Sequence, residues 1–203
     1  MAKKTMTASE SITDGQIDAV MATIRAALTK NRSDFSGEAF QLALGLKNLG
    51  MILLAPLRTE VEKFSKIVRR TVTVDRALSP EAAIAATGRK QYVTAEVLAA
   101  MPKGEGDTVV IEFIPLEKWM NNEAVDDKFA EHGLVPVDPF ALAAHNAAEP
   151  DFASERPCFT HWKNADGNWC YAAFLDWSGE RGVNVLRDAS GWRVGWWAAG
   201  VRK

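Results

Sequence analysis

The sequence predicts an α+β protein, in which a unit of short helices over residues 1–70 precedes an α+β unit over residues 71–203. The second unit is expected to end in an antiparallel meander of four to five strands. Two observations support this class. The first third of the chain repeats its apolar residues at helical spacing. Residues 158–203 instead alternate apolar and polar residues between turn sequences, and they hold six of the seven tryptophans.

Three short helices are predicted in the first unit. Thr13 and Gln16 have the spacing of a capping box at the start of the first helix. Its apolar stripe recurs at spacings of three and four: Ile17, Val20, Met21, Ile24 and Leu28. Ser36 is expected to cap a second helix, and Pro56 to lie in the first turn of a third, whose stripe is Leu57, Val61, Phe64 and Val68. Three short helices make a thin core, so this unit is expected to dock on the rest of the chain or on another copy.

The stretch from residue 71 to residue 150 predicts two blocks, each a strand followed by two short helices. Alternating Thr and Val predict the strand over residues 71–75, and a change of composition places the domain boundary at about residue 70. Residues 108–116 form the second strand. The residues suited to cap the four helices are Ser79, Thr94, Asn121 or Asn122, and Asp138.

Two predicted strands carry most of the tryptophans, and both have large apolar side chains on each face. Trp169 and Trp177 share a face of the strand over residues 168–177. In the last strand, Trp192 and Trp196 share a face opposite Trp197. Either helices cover both faces of the sheet, or one aromatic row forms a binding platform beside arginine side chains. The residues expected at such a platform are Trp177, Arg187, Trp192, Arg193, Trp196 and Trp197.

The charge is unevenly distributed along a chain whose formal net charge is −2. Residues 77–157 carry 6 basic and 14 acidic side chains, which argues against contact between this part and phosphates. The apolar runs are too short to cross a bilayer, and the N-terminus lacks the apolar core of a secretory signal. Two cysteines do not indicate a disulfide scaffold. The expectation is a cytoplasmic protein that makes no membrane contact.

No group of side chains in the sequence identifies a reaction. The residues that could in principle serve as zinc ligands are Cys158, His161 and Cys170, with His132 or His145. Structural zinc sites usually have two close pairs of ligands, and this chain has one. Cys158 and His161 are also too close in sequence for a catalytic dyad unless a turn brings them together. The prediction therefore includes no catalytic residue, no metal site and no cofactor.

Five sequence blocks, residues 72–76, 85–92, 133–136, 161–169 and 197–203, resemble a widespread group of uncharacterised bacterial proteins. The resemblance covers residues 70–203 and, more weakly, the helical N-terminus. It provides no activity that could be carried over to this chain. It implies that the C-terminal unit is a module used with different N-terminal segments.

The preferred hypothesis is a non-enzymatic module that binds another protein through aromatic and arginine side chains of the C-terminal sheet. In a narrower version, the acidic residues 117–131 mimic phosphates and inhibit a nucleic-acid enzyme. One alternative is a nucleic-acid-binding protein whose basic patch consists of Arg69, Arg70, Arg76, Arg89 and Lys90. Another is a small hydrolytic enzyme that uses His145, Cys158 and His161. Self-association is also left open.

Overall fold

A computed structural model describes residues 12–62, 66–187 and 190–203. Its contacts divide the chain into two units, with the division between Lys63 and Phe64. The predictions that concern residues 1–11, Phe64, Asp188 and Ala189 lie outside the described residues.

The first unit consists of α1 (Asp14–Lys30), α2 (Gly37–Leu44) and α3 (Leu49–Glu62). The predicted capping box forms: the Gln16 backbone N–H donates to Thr13 Oγ1, and Gln16 Oε1 accepts from the Thr13 backbone N–H. The prediction that the third helix starts at Pro56 is wrong, because α3 begins at Leu49 and contains Pro56. α2 ends at Leu44 with Gly45 as its C-cap, and the apolar run from Leu49 belongs to a new helix.

None of the described helices is by itself long and apolar enough to cross a membrane. The helix Gly37–Leu44 and the stretch Leu49–Val61 reach that length and composition only together, as a pair bent by 92°.

The second unit is built around one sheet of eight strands, which confirms the predicted α+β class. Its elements in chain order are β1 (Val68–Thr73), α4 (Pro80–Ala85), β2 (Lys90–Val93), α5 (Ala95–Ala99), β3 (Thr108–Pro115), α6 (Asn122–Glu131), β4 (Leu134–Pro136), α7 (Pro139–Ala148), α8 (Phe152–Glu155), β5 (Cys158–Lys163), β6 (Trp169–Trp177), β7 (Glu180–Arg187) and β8 (Trp197–Arg202). The strand order is β1-β3-β8-β5-β6-β7-β2, and β4 pairs with β8 beside this row. β2 pairs with β7 and β5 with β8 in parallel, and the other pairs are antiparallel.

β5, β6 and β7 form an antiparallel meander, but β8 does not extend it. β8 instead returns to the middle of the sheet, where it pairs with β3 and β5. It begins at Trp197, so the expectation of one strand from Trp192 onward is wrong. Val194 and Gly195 form a turn before it, and Gly195 has a φ of +88°, which favours glycine.

The sequence does not predict β2 or β4, and it places Val68 in a helix. β2 and β4 are short, and they pair with strands that lie far along the chain, β7 and β8. Val68 is buried at the start of β1 and lies opposite Phe113 of β3. These three features depend on long-range pairing, which a local sequence pattern does not contain.

The sheet carries apolar side chains on both faces. One face packs against α4, α5, α7 and α8, and we call it the covered face. Phe113, Phe174 and Val185 lie on this face in the larger core cluster. On the opposite, open face, α6 and the segment before β8 cover only the part around β3, β8 and β5. Trp196 packs against this open-face cluster and Trp197 against the covered-face core, so the two residues do point to opposite faces as predicted.

We expect Gly200→Ala in β8 to lower the free energy of unfolding by about 1–3 kcal/mol, measured by urea denaturation. An added Cβ would lie 2.8 Å from Phe129 Cε1 and 3.0 Å from the Val135 carbonyl oxygen, so both neighbours must shift. Gly182→Ala is the matched control, because its Cβ would meet neighbours at 3.8 Å and should cost nothing. Equal losses in the two variants would contradict the packing of α6 on β8.

Candidate functional site

The six residues that the sequence assigns to a binding platform do not lie together. Trp192 and Trp196 belong to the open-face cluster, whereas Trp197 packs on the covered face, where Arg156 Cζ lies 5.8 Å from its ring centroid. Trp177 and Arg187 lie at opposite ends of the paired strands β6 and β7, and Arg193 is exposed beside Trp192. The residues of the predicted platform therefore lie in different environments.

Trp192 closes a core. It is 5% exposed, and its ring stacks on Phe159 with centroids 3.4 Å apart and an interplanar angle of 11°. Tyr171 and Trp196 pack edge-on against it at 5.2 Å and 5.4 Å. Its Nε1–H donates to Asn122 Oδ1 at 2.8 Å. A residue with this burial and these contacts is not available to a ligand.

Asn122 Oδ1 also determines the orientation of His161. The Trp192 indole N–H can only donate, so the atom that it contacts must be the amide oxygen of Asn122. His161 Nδ1, 2.9 Å from the same oxygen, must then carry a proton and donate it. His161 Nε2 lies 2.8 Å from Asp126 Oδ1, so the imidazole contacts a second residue of α6.

This arrangement joins α6 to β5 and does not expose the imidazole to a substrate. The His161 side chain is fully buried, and the ring of Trp169 lies over it with centroids 4.8 Å apart. Trp169 Nε1–H in turn donates to Glu123 at 2.9 Å, a hydrogen bond that lowers the pKa of that carboxyl. The group of Asn122, Asp126 and His161 is a structural connection between helix and sheet.

An open groove lies at the other end of the open face, across β6, β7 and β2. Trp177 at the end of β6 is 75% exposed, and Tyr92 on β2 is 46% exposed. Between them, Leu175, Gly182, Asn184 and Leu186 contribute to a groove of about 600 Å³. Because β7 lies between β6 and β2, the two aromatic strands are about 10 Å apart.

The charged groups at the groove neutralise each other. Lys90 Nζ lies 3.0 Å from Glu180, and the Tyr92 hydroxyl donates to the same carboxylate at 3.2 Å. The hydrogen bond between Lys90 and Glu180 lowers the pKa of Glu180 and raises the pKa of Lys90. The Asn184 side chain, in contrast, has no hydrogen-bond partner among the described residues. The groove therefore combines two aromatic rings with one unused carboxamide.

Tyr92, Asn184 and Glu180 were not identified from the sequence. Alternation along β6 does place Leu175 on the face of Trp177, as expected. Tyr92 could not be assigned because β2 itself is not predicted, and Asn184 lacks any distinguishing sequence signal.

The zinc site and the Cys–His dyad do not form. Cys158 and His161 lie on opposite faces of β5, since residues three apart in a strand point in opposite directions. Burial raises the pKa of the Cys158 thiol to about 12, so this group is protonated and unreactive at neutral pH. Within residues 12–62, 66–187 and 190–203, no group of three or more His, Cys, Asp and Glu side chains is placed to hold a metal ion. The residues of the hydrolytic alternative are therefore not brought together.

The five cations expected to form a basic patch are each engaged elsewhere. Arg89 is 5% exposed, and its guanidinium donates to the carbonyls of Leu175 and Pro150. The other four contact carboxylates in the pairs Arg69–Glu112, Arg70–Glu149, Arg76–Asp138 and Lys90–Glu180. Pairing and burial leave little positive potential for a phosphate chain to bind.

The acidic stretch of residues 117–131 is also partly engaged. Glu117 lies 3.7 Å from Lys66, Glu123 accepts from Trp169, and Asp126 contacts His161. These contacts reduce the negative charge that a phosphate mimic would present.

No family model, curated protein or solved structure matches the chain. The resemblance of residues 70–203 to a group of uncharacterised bacterial proteins therefore stays a hypothesis.

We expect Trp192→Ala to lower the free energy of unfolding by about 3–5 kcal/mol, because it removes a buried stacked ring and leaves the Asn122 oxygen with one donor fewer. Trp177→Ala should change it by no more than about 0.5 kcal/mol, because most of this ring is in water. Chemical denaturation followed by circular dichroism checks both values. A cost at Trp177 as large as that at Trp192 would contradict the assignment of Trp177 to the surface.

His145 provides a pH-dependent prediction. Its side chain is buried beside Phe113 and Phe152, and loss of hydration lowers its pKa from 6.5 to about 4. Arg70 and Arg89 act in the same direction, and Glu149 opposes them. Between these two pH values the unfolded chain binds a proton that the folded chain does not, so stability falls as the pH falls, by about 3 kcal/mol in total.

The measurement is the free energy of unfolding at pH 7 and pH 4, compared with that of His145→Leu. The wild type should lose about 3 kcal/mol more than this variant over the interval, since the variant has no imidazole to protonate. Parallel pH profiles for the two proteins would show that His145 is not buried as described.

Proposed function

We propose that the second unit is a protein-binding module, which holds an extended segment of a partner protein in the groove between Trp177 and Tyr92. The observation that supports this proposal is the exposure of these two aromatic side chains on the part of the open face that α6 does not cover. Large exposed aromatic groups on a folded unit mark interaction sites. This retains the function predicted from the sequence but assigns it to a smaller surface.

The aromatic rings supply the apolar contact. Tryptophan and tyrosine are enriched among the residues that dominate binding energy at protein interfaces, because they bury a large area with few rotatable bonds. An apolar side chain of the partner lies between the rings of Trp177 and Tyr92, over Leu175 and Leu186. Such a contact requires an apolar side chain on the ligand, and this side chain carries no net charge.

Asn184 supplies the polar contact. Its carboxamide lies on the groove floor without a hydrogen bond among the described residues, so it can both donate to and accept from one peptide group. That combination orients a polypeptide backbone across β7 while the side chains on either side contact the aromatic rings.

Nucleic acid and carbohydrate fit the groove less well. A phosphate chain needs free cations, and Lys90 at the groove is paired with Glu180. A sugar has several hydroxyl groups that need partners when desolvated, whereas the described floor of the groove between the two rings consists of Leu175, Gly182, Leu186 and a single polar side chain, Asn184. A peptide with one apolar side chain and one engaged backbone amide matches what the groove offers.

The experiment is selection of a displayed library of random, unstructured peptides on the full chain, followed by binding measurements with the enriched peptides. We expect peptides that share an aromatic or aliphatic anchor and lose at least about tenfold in affinity for Trp177→Ala. Asn184→Ala should weaken the same peptides, whereas Tyr92→Phe should retain binding because the ring is kept.

Trp119→Ala is the matched control, because Trp119 is 58% exposed and lies outside the groove. Peptides that bind wild type, Trp177→Ala and Trp119→Ala equally would contradict the proposal. So would a failure to enrich any peptide while oligosaccharides or single-stranded DNA bind in a Trp177-dependent manner.

A further inference from the structure

The first unit presents apolar side chains that its own helices do not bury. Over residues 12–61 no side chain is buried, and Val20, Ala43, Leu49 and Leu57 are half-buried at most. Met21 on α1, Leu42 on α2, and Met51 and Leu54 on α3 are each more than half exposed. Helices of 8 to 17 residues gain most of their stability by packing an apolar face against another element. This surface therefore needs a partner.

α1 carries the spacing of a coiled coil. Its apolar residues Ile17, Met21, Ile24 and Leu28 are four, three and four residues apart, which is the alternation of the two core positions of a heptad repeat. Asp18 and Arg25 directly follow Ile17 and Ile24, so both occupy the same flanking position of the repeat. Both are exposed, and neither has an ion-pair partner among the described residues.

The charges along α1 select one orientation of a second copy. The acidic residues Asp14 and Asp18 lie in its first half, and the basic residues Arg25 and Lys30 in its second half. Two parallel copies would place like charges level with each other. In an antiparallel pair, Ile17 lies beside Leu28 of the second copy and Met21 beside its Ile24. Asp18 then lies next to Arg25 of the second copy, and the two-fold symmetry repeats this ion pair.

We propose that this protein is a homodimer in which α1 packs antiparallel against α1 of a second copy, with two Asp18–Arg25 ion pairs across the helix interface. This inference does not depend on the groove of the second unit. In this dimer, the apolar surface of the first unit is covered by the same surface of another copy of the chain.

Two other occupants are less well matched. The exposed large apolar side chains of the second unit are Tyr92, Val93, Val110, Trp119, Trp177 and Val194. None of its described helices carries an exposed apolar stripe like that of α1. A membrane surface favours helices with a polar face rich in Lys and Arg. Residues 12–62, which contain the three helices, carry five basic and six acidic side chains, so these helices have no excess of Lys and Arg.

The test is analytical ultracentrifugation of the full chain over micromolar concentrations. We expect a species of twice the chain mass of 22.2 kDa. Asp18→Arg and Arg25→Asp should each weaken the dimer about tenfold, because each change replaces two attractions by two repulsions. The double exchange Asp18→Arg with Arg25→Asp should restore the dissociation constant to within about threefold of wild type.

Thr23→Arg, on the side of α1 away from the stripe, is the matched control and should leave the dimer unchanged. All these positions are exposed, so helix content measured by circular dichroism should be the same in every variant. A chain that stays monomeric at about 100 μM, far above the dissociation constants of stable dimers, would overturn the proposal. Failure of the double exchange to restore association, or co-flotation of the chain with neutral phosphatidylcholine vesicles, would overturn it as well.

Orientation is tested by cross-linking two single-cysteine variants, Ile17→Cys and Leu28→Cys. An antiparallel pair predicts disulfide formation in a mixture of the two and little in either alone. Formation in each separately, without enhancement in the mixture, would show a parallel pair and contradict the proposal. The native Cys158 and Cys170 are buried and do not compete.

Discussion

The second unit depends on one amide oxygen. Asn122 Oδ1 accepts hydrogen bonds from Trp192 and from His161, and it thereby joins the start of α6, the strand β5 and the segment that leads into β8. The orientation of this amide is fixed because an indole N–H can only donate. With it in place, the ring of Trp192 lies flat on Phe159, and Trp196 closes the same cluster. The part of the open face around β3, β8 and β5 is covered in this way.

α6 and the segment before β8 leave part of the open face uncovered, and this uncovered part is the surface available for binding. Four helices pack on the covered face, but one helix and one loop segment pack on the open face. Apolar side chains on β6 continue beyond that cover to Leu175 and Trp177. The same imbalance occurs in the first unit, where the apolar stripe of α1 lies at the surface. Both units therefore present apolar surface that binding to another polypeptide would remove from water.

The features of the fold that could be predicted from the sequence are those that depend on local residue patterns. The α+β class, the capping box of Thr13 and the opposite directions of Trp196 and Trp197 follow from periodicity and cap chemistry, which act over a few residues. The position of β8 and the existence of β2 follow from hydrogen bonds between distant strands, which no local pattern records. The candidate site was predicted in part, because Trp177 was identified but its neighbours on β2 and β7 depend on that pairing. Cations such as Arg70 looked free in the sequence because their carboxylate partners come from remote elements.

Hydrogen exchange of the seven tryptophan indole N–H groups, followed by NMR, distinguishes the covered part of the open face from the exposed groove. We expect that Trp192, bonded to Asn122 and buried, exchanges at least about a thousandfold more slowly than Trp177, which lies in water at the groove. Comparable exchange rates for Trp192 and Trp177 would contradict it, because the open face would then be either covered throughout or uncovered throughout.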